Sequence, residues 1–261
     1  MSDEALCGRL DARLHTLHLP GVLQRYRELA AEVGLDERSL HWLDGCLQAE
    51  LELRELHRYE RNLKAARFPV IKELADFDFT AIPSVSKAQV EELASGRFIA
   101  AHETVLLVGQ PGTGKSHVLS GLGLAAIRAG YRVRFVSAAE LVNELMLARK
   151  EFQVPKLLKQ YAAYDLVEVD ELGYLPVNQE GAQLLFTFFG ERYETRSTAL
   201  TTNLPFAQWT HIFGDETLTV ALLDRLTHRS HVLLFNGESY RRRESKRRAA
   251  GSGRPETGGD T

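Results

Sequence analysis

The stretch Gly109-Gln110-Pro111-Gly112-Thr113-Gly114-Lys115-Ser116 sets glycines, a lysine and a hydroxyl at the spacing of a phosphate-binding loop. Its glycines let successive backbone N–H groups turn toward phosphate oxygens, and the positive end of a following helix adds to that field. Lys115 would reach the β- and γ-phosphates of ATP, and the Ser116 hydroxyl would hold Mg²⁺. His117 closes the ATP-binding stretch. An apolar strand, Val105–Val108, leads in and a helix leads out, which is the context the loop requires. A glycine-rich turn without a ligand would not need every one of these positions filled.

A second chemical element is Asp165-Leu-Val-Glu-Val-Asp170-Glu171, an apolar strand ending in adjacent carboxylates. Asp170 would complete the Mg²⁺ shell, and Glu171 would orient or deprotonate the attacking water. Glu168 shares a strand face with Asp170, because side chains alternate with a period of two. A charge inside a central strand is costly unless paired, so a structural ion pair is expected there. After the strand Thr198–Thr202 comes Asn203, whose amide would sit between Glu171 and the γ-phosphate and hold the water; the alternative is a turn-forming Asn. Arg225 and Arg229 lie near the end of a helix. Either could stabilise transferring charge from a neighbouring subunit, or simply favour its own helix C-terminus.

Other chemistries find no pattern. The nine histidines show no HExxH or paired ligand spacing, and no Gly-x-Ser-x-Gly elbow occurs. Cys7 and Cys46 are far apart without a CxxC, so they read as idle reduced thiols rather than a zinc site or disulfide framework. With 44% hydrophobic and 26% charged residues and no long apolar run, the expected class is globular, without a membrane span and cytoplasmic.

The elements that must position these residues follow from periodicity. Residues 1–67 read as an all-helical module: a helix near Val22–Val33 stopped by Gly34, then a long one capped by Asp36 or Ser39 with Leu40, Leu43, Leu47 and Leu51 at 3–4 spacing. Arg67-Phe68-Pro69 breaks that pattern, and Asp76-Phe-Asp-Phe79 reads as a linker. Ser86 and Ser137 open capping boxes with Gln89 and Glu140. From Thr104 to Phe235 five strands alternate with helices, which predicts a parallel sheet covered on both faces. This gives a core over 68–240. Residues 241–261 form a tail, basic at Arg241, Arg242, Arg243, Lys246, Arg247 and Arg248, then small and polar. The basic run would track DNA phosphates or stand as a solvated charge cluster.

Several of these signatures together resemble the IstB-like ATPases, transposition helpers of insertion sequences related to the helicase loader DnaC within the AAA+ class. The carriers are Leu19-Pro-Gly21, Ala66–Pro69, Asp76–Phe79, Gly109–His117, Ala129–Phe135, Asp170-Glu-Leu-Gly-Tyr-Leu-Pro176, Thr202–Pro205, Leu223–Leu226 and Gly237-Glu-Ser-Tyr-Arg241. The resemblance implies strand order 5-1-4-3-2, Asn203 as the γ-phosphate sensor, and Arg225 as an arginine finger acting in trans within a homo-oligomeric ring or spiral. It implies binding of duplex DNA and its presentation to a cognate transposase. No full C-terminal helical lid is expected, and Glu168 stands where the family carries an aliphatic residue. Two other functions compete: a DnaC-like replicative helicase loader, sharing the same core, and a P-loop kinase for a small metabolite, which the water-activating Glu171 disfavours.

Overall fold

A computed structural model describes residues 3–34, 36–174, 177–237 and 239. The basic run 241–248 therefore lies outside the described residues. The chain divides into two compact units, Met1–Arg61 and Asn62–Thr261.

The first unit is helical. Helix α1 (Asp3–Thr16) sets Leu6, Leu10 and Leu14 on one stripe, and these pack with Leu17, Tyr26 of α2 (Pro20–Val33) and Leu47 of α3 (Glu37–Ala66). Pro20 opens α2 rather than merely separating segments, because a first-turn residue has no hydrogen-bonding need for its N–H. Gly34 at φ +70° ends it. Asp36 caps α3, its carboxylate accepting from the Ser39 N–H at 3.0 Å.

In the second unit α4 (Lys87–Ala94) and α5 (Arg97–Ala100) precede β1 (Thr104–Gly109) and α6 (Lys115–Arg128). There follow β2 (Val133–Ser137), α7 (Ala138–Lys150), α8 (Val154–Ala162), β3 (Leu166–Leu172) and α9 (Gln179–Arg192). The unit ends with β4 (Ser197–Thr202), α10 (Thr210–Phe213), α11 (Glu216–His228) and β5 (Ser230–Phe235). Every strand pairing is parallel, in the order β2-β3-β4-β1-β5, which is the expected 5-1-4-3-2 read from the other edge. The capping box at Ser137 is complete, with both reciprocal bonds made. Helix α8 was not expected; Gln153 and Pro155 start it, and its apolar residues Val154, Leu157, Leu158 and Tyr161 fall at helical 3–4 spacing.

Alternating strand residues feed two faces. Leu106, Val108, Val136, Val167, Val169 and Leu200 join Leu141, Leu145, Leu185, Phe188 and Trp209 in one core. At the N-terminal edge of the sheet Arg192 is buried and acts as a clamp. It donates to the carbonyls of Tyr161 (2.9 Å), Tyr164 (3.3 Å) and Ser197 (2.6 Å) and to the Thr198 hydroxyl (3.2 Å). Burial pulls its pKa down to about 9.

Glu168 corrects the expectation of an ion pair. Its side chain is fully buried on β3 against Gly123 of α6, where the Gly123 N–H is the nearest donor and neither carboxylate oxygen makes a hydrogen bond of good geometry. A Cβ at residue 123 would stand 2.6 Å from Oε2, so only glycine leaves room for this acid. Burial, and after it the charge of Asp170, push the carboxyl well above the usual range and favour the neutral acid.

A native pKa raised above the unfolded value costs stability as pH rises through the interval between them, because only the unfolded chain then releases the proton. Glu168→Leu is therefore expected to stabilise the protein by ~1–3 kcal/mol in urea unfolding at pH 8, with a smaller gain at pH 5. An equal gain at both pH values would show that the carboxyl is not held neutral.

Candidate nucleotide site

The phosphate-loop residues cluster where β1 meets α6, and two close approaches and two left-handed glycines fix the loop. A Cβ on Gly109 would lie 2.3 Å from the Phe235 carbonyl oxygen. Gly112 (φ +80°) and Gly114 (φ +94°) hold left-handed backbone, which a side chain strongly disfavours. Beside Gly114 stands Phe77, whose ring would meet a Cβ at 2.6 Å.

The lysine and hydroxyls are already held. Lys115, largely buried, donates from Nζ to the carbonyls of Gly109 (2.7 Å) and Gln110 (2.9 Å). The Thr113 hydroxyl donates to Gln110 O at 2.8 Å. Pro111 is exposed at the loop's outer turn. His117 Nε2 lies 2.7 Å from the Glu73 carbonyl oxygen, and its ring stands edge-on to Phe77 with centroids 5.4 Å apart. Together Asp76, Phe77, Ile82 and the loop residues enclose a cavity of about 480 Å³, of ordinary size for a nucleotide-scale ligand.

At the loop's far side the acidic strand end comes in. Ser116 Oγ donates to Asp170 Oδ1 at 2.9 Å, joining α6 to β3. The Thr201 hydroxyl donates to the same oxygen and accepts from the Glu171 N–H at 2.9 Å. The β3–β4 register shifts between Val169 and Leu172, so the chain bulges at the two acids. Glu171 sits at φ +63°, uncommon for a residue with a side chain, and is exposed. Strain of this kind is stored where the surroundings over-determine it, here the Thr201 bond behind it and a 3.2 Å bond from Tyr174 N–H to Glu171 O ahead.

Asn203 follows β4 directly. Thr202 is level with Val108 of β1 and Leu172 of β3, which puts Asn203 at the C-terminal edge between the loop and the acids. The arginines lie elsewhere. Arg225 stacks on the Phe186 ring, 4.4 Å from guanidinium carbon to centroid. It lines a small recess with Thr104 and Thr198, at the N-terminal ends of β1 and β4. β1 then separates it from Gly109 by roughly 17 Å at ~3.3 Å per residue. Arg229 is exposed, and its carbonyl accepts from Thr104 N–H at 2.9 Å, at the same edge. The structure thus brings the loop, Asp170, Glu171 and Asn203 to one edge and leaves both arginines at the other.

Two residues of this site were not singled out by sequence. Thr201 left a signal, a hydroxyl facing inward on a central strand, where a partner is required. Phe77 left a weaker one, an aromatic between two acids in an apparent linker. The oxygens of Ser116 and Asp170 are a hard donor set that suits Mg²⁺. They already meet each other, and the cradle glycines leave the backbone open to phosphate, so the residues fit Mg²⁺ and ATP.

A model of the family described as IstB-like ATP binding protein matches residues 12–249. A Pseudomonas aeruginosa protein described as the ATP-binding protein of insertion sequence IS21 is 40% identical over 236 residues, covering 90% of this chain and 88% of that one. Among solved structures, AMPPCP-bound DnaA from Aquifex aeolicus matches with TM-score 0.54 at 18% identity over 71% of this chain and 56% of that one. The DnaC helicase loader matches with TM-score 0.50 at 20% identity over 57% of this chain and 87% of that one. Both likenesses are of fold.

Replacing the Thr201 hydroxyl by a methyl group should loosen both acids without emptying the loop. Thr201→Val is expected to weaken the Mg²⁺-dependent part of ATP affinity by about 10- to 100-fold. Nucleotide binding in excess chelator should change by no more than about twofold. Calorimetric titrations with and without Mg²⁺ separate the two, and an equal loss in both would assign Thr201 to folding alone.

Proposed function

The chain belongs to the IstB-like ATP-binding family, and on that premise we propose that it is an Mg²⁺-dependent ATPase that assembles on duplex DNA and presents that DNA to a partner transposase. The observation that carries the hydrolytic reading is the shared oxygen of Asp170, bound by Ser116 of the loop and by Thr201 behind Glu171. It unites phosphate-binding, metal-binding and water-activating groups in one constellation.

Each residue then has a task. Backbone N–H groups of Gly112–Ser116 and the Lys115 ammonium hold the phosphates, with Lys115 exchanging its two loop carbonyls for phosphate oxygens. Ser116 and Asp170 would hold Mg²⁺, which would supply neutralisation of phosphate charge. Glu171 accepts a proton from the water that attacks the γ-phosphorus. The bond to the bridging oxygen breaks, leaving ADP and phosphate. Asn203 fixes that water from the neighbouring strand. With roughly 17 Å of strand between Arg225 and its own loop, its guanidinium serves the loop of an adjacent subunit. Phe186 holds it in readiness. ATP turnover then reports on assembly, and hydrolysis resets the assembly on DNA. The insertion-sequence description of the 40%-identical relative supports a transposase as partner over a replicative helicase. The basic residues of 241–248 would add phosphate contacts to the DNA-bound form.

Glu171→Gln is expected to keep ATP binding while turnover falls by about 100-fold or more. Arg225→Ala should lower turnover by ~10³-fold or more. Mixing Arg225→Ala with Lys115→Ala should restore part of the lost activity, because an intact loop then meets an intact arginine across a subunit boundary. Turnover and particle size with and without duplex DNA test the rest. DNA-stimulated hydrolysis in a large assembly is the expected result; DNA-indifferent turnover by a monomer, or no restoration on mixing, would overturn the assembly reading.

A further inference from the structure

A cavity of about 720 Å³ shares no lining residue with the cavity at the phosphate loop. It lies at the start of β2, floored by Arg134 and walled by α7 and α8. Arg134 belongs to the sheet face that carries Val136, two residues on, where an aliphatic side chain would extend the core. Instead its guanidinium is nine-tenths buried. Nη1 has no hydrogen-bond partner, Nη2 stands 3.6 Å from Glu144 Oε1, beyond hydrogen-bond range, and the remaining neighbour of the group is the Tyr161 hydroxyl. The other oxygen of Glu144 is taken by the Tyr161 hydroxyl at 2.7 Å. A buried guanidinium short of acceptors is costly to fold around.

The charges around it have one sign in excess. Arg67, Arg132 and Lys156 line the same cavity with Arg134, against the carboxylates of Glu144 and Glu151, and Arg132 also pairs with Asp165 at 3.9 Å, so four positive groups against three negative leave one positive charge in excess. Arg67 follows α3 directly and is held at φ +58°, a conformation that long side chains rarely adopt. Its neighbour Phe68 packs on Phe135 of β2, centroids 5.7 Å apart, which fixes the segment beside the cavity. Unmet guanidinium donors call for an acceptor with several oxygens in a planar fork's reach. An excess of positive charge suits a phosphate, and the volume admits a group of nucleotide size.

We propose that this cavity is a second anion site, distinct from the ATP site, which takes a phosphate group on Arg134 with Arg67, Arg132 and Lys156 drawing it in. The phosphate is either a phosphodiester of DNA or that of a free phosphorylated small molecule.

The test uses the full chain with its phosphate loop saturated by a non-hydrolysable ATP analogue. Thermal unfolding is followed against inorganic phosphate, with chloride at equal ionic strength as control. A saturable rise in Tm specific to phosphate is expected for the wild type, and its loss in Arg134→Gln. The exposed pair Arg67→Ala/Lys156→Ala should weaken the phosphate effect by about tenfold in concentration, and it carries the test should Arg134→Gln not fold. No saturable phosphate effect in the wild type, or an undiminished effect in the variants, overturns the site. Polarisation of a labelled short duplex then names the source. Duplex affinity lowered about tenfold in the double variant, with inorganic phosphate competing, identifies the DNA backbone. Duplex affinity unchanged beside a lost phosphate effect identifies a free phosphorylated molecule.

Discussion

One carboxylate oxygen, Asp170 Oδ1, receives hydroxyls from two directions, Ser116 at the start of α6 and Thr201 on β4. Three elements distant in sequence are locked at that point: the helix behind the phosphate loop, the acidic strand and the strand that ends at Asn203. Thr201 can reach there only because β4 lies between β1 and β3 in the parallel sheet. The bulge after Val169 and the left-handed Glu171 follow from the same lock. Thr201 accepts the Glu171 N–H, so the backbone must turn out of the ladder there and the Glu171 side chain is carried to the exposed edge. Strain at one residue is held by bonds to its neighbours on either side.

The sheet also separates two kinds of work. Its C-terminal edge gathers the phosphate loop, both acids and Asn203, while its N-terminal edge holds Arg225, the Arg192 clamp and the cavity floored by Arg134. Arg192 is the link between the last two. Its guanidinium holds the carbonyls of Tyr161 and Tyr164, at and just beyond the end of α8, to the start of β4. Burial lowers its pKa, yet four oxygens accept from it, so it stays charged and satisfied. Arg134 is the contrast, also buried but with Nη1 lacking an acceptor, and that difference marks one arginine as architecture and the other as a binding group.

What sequence reveals depends on how local the cause is. The phosphate loop is legible because its chemistry is written in eight consecutive residues with a strand before and a helix after. Helices α6, α7 and α9 and all five strands follow from periodicity and caps, and strand ends differ by a residue or two where a ladder bond outlasts the apolar pattern. Helix α8 is nine residues long, and its signal, Val154, Leu157, Leu158 and Tyr161 at 3–4 spacing, spans barely two turns. Thr201, Phe77 and Arg134 act through partners 31, 37 and 10 or more positions away, and no spacing rule reaches across a sheet. Glu168 was visible as a charge in a strand, but the inference of a partner failed. The strand faces α6 at Gly123, where a small residue makes room for an unpaired acid.

That acid also bears on how the site is held. Glu168 and Asp170 lie on one face of β3, both against α6, the first at Gly123 and the second at Ser116. An aliphatic side chain at 168 would demand only volume. Here the position demands that a carboxyl stay neutral, because burial penalises its charge and Asp170 repels it. The two acids are thus divided by environment: the one at the open edge, bonded to two hydroxyls, is free to meet a cation, and the one beneath it is confined to packing. A helix that touches both cannot shift relative to β3 without disturbing the Ser116 bond. The unpaired acid therefore lowers the stability of the core while adding nothing to the ligand set above it.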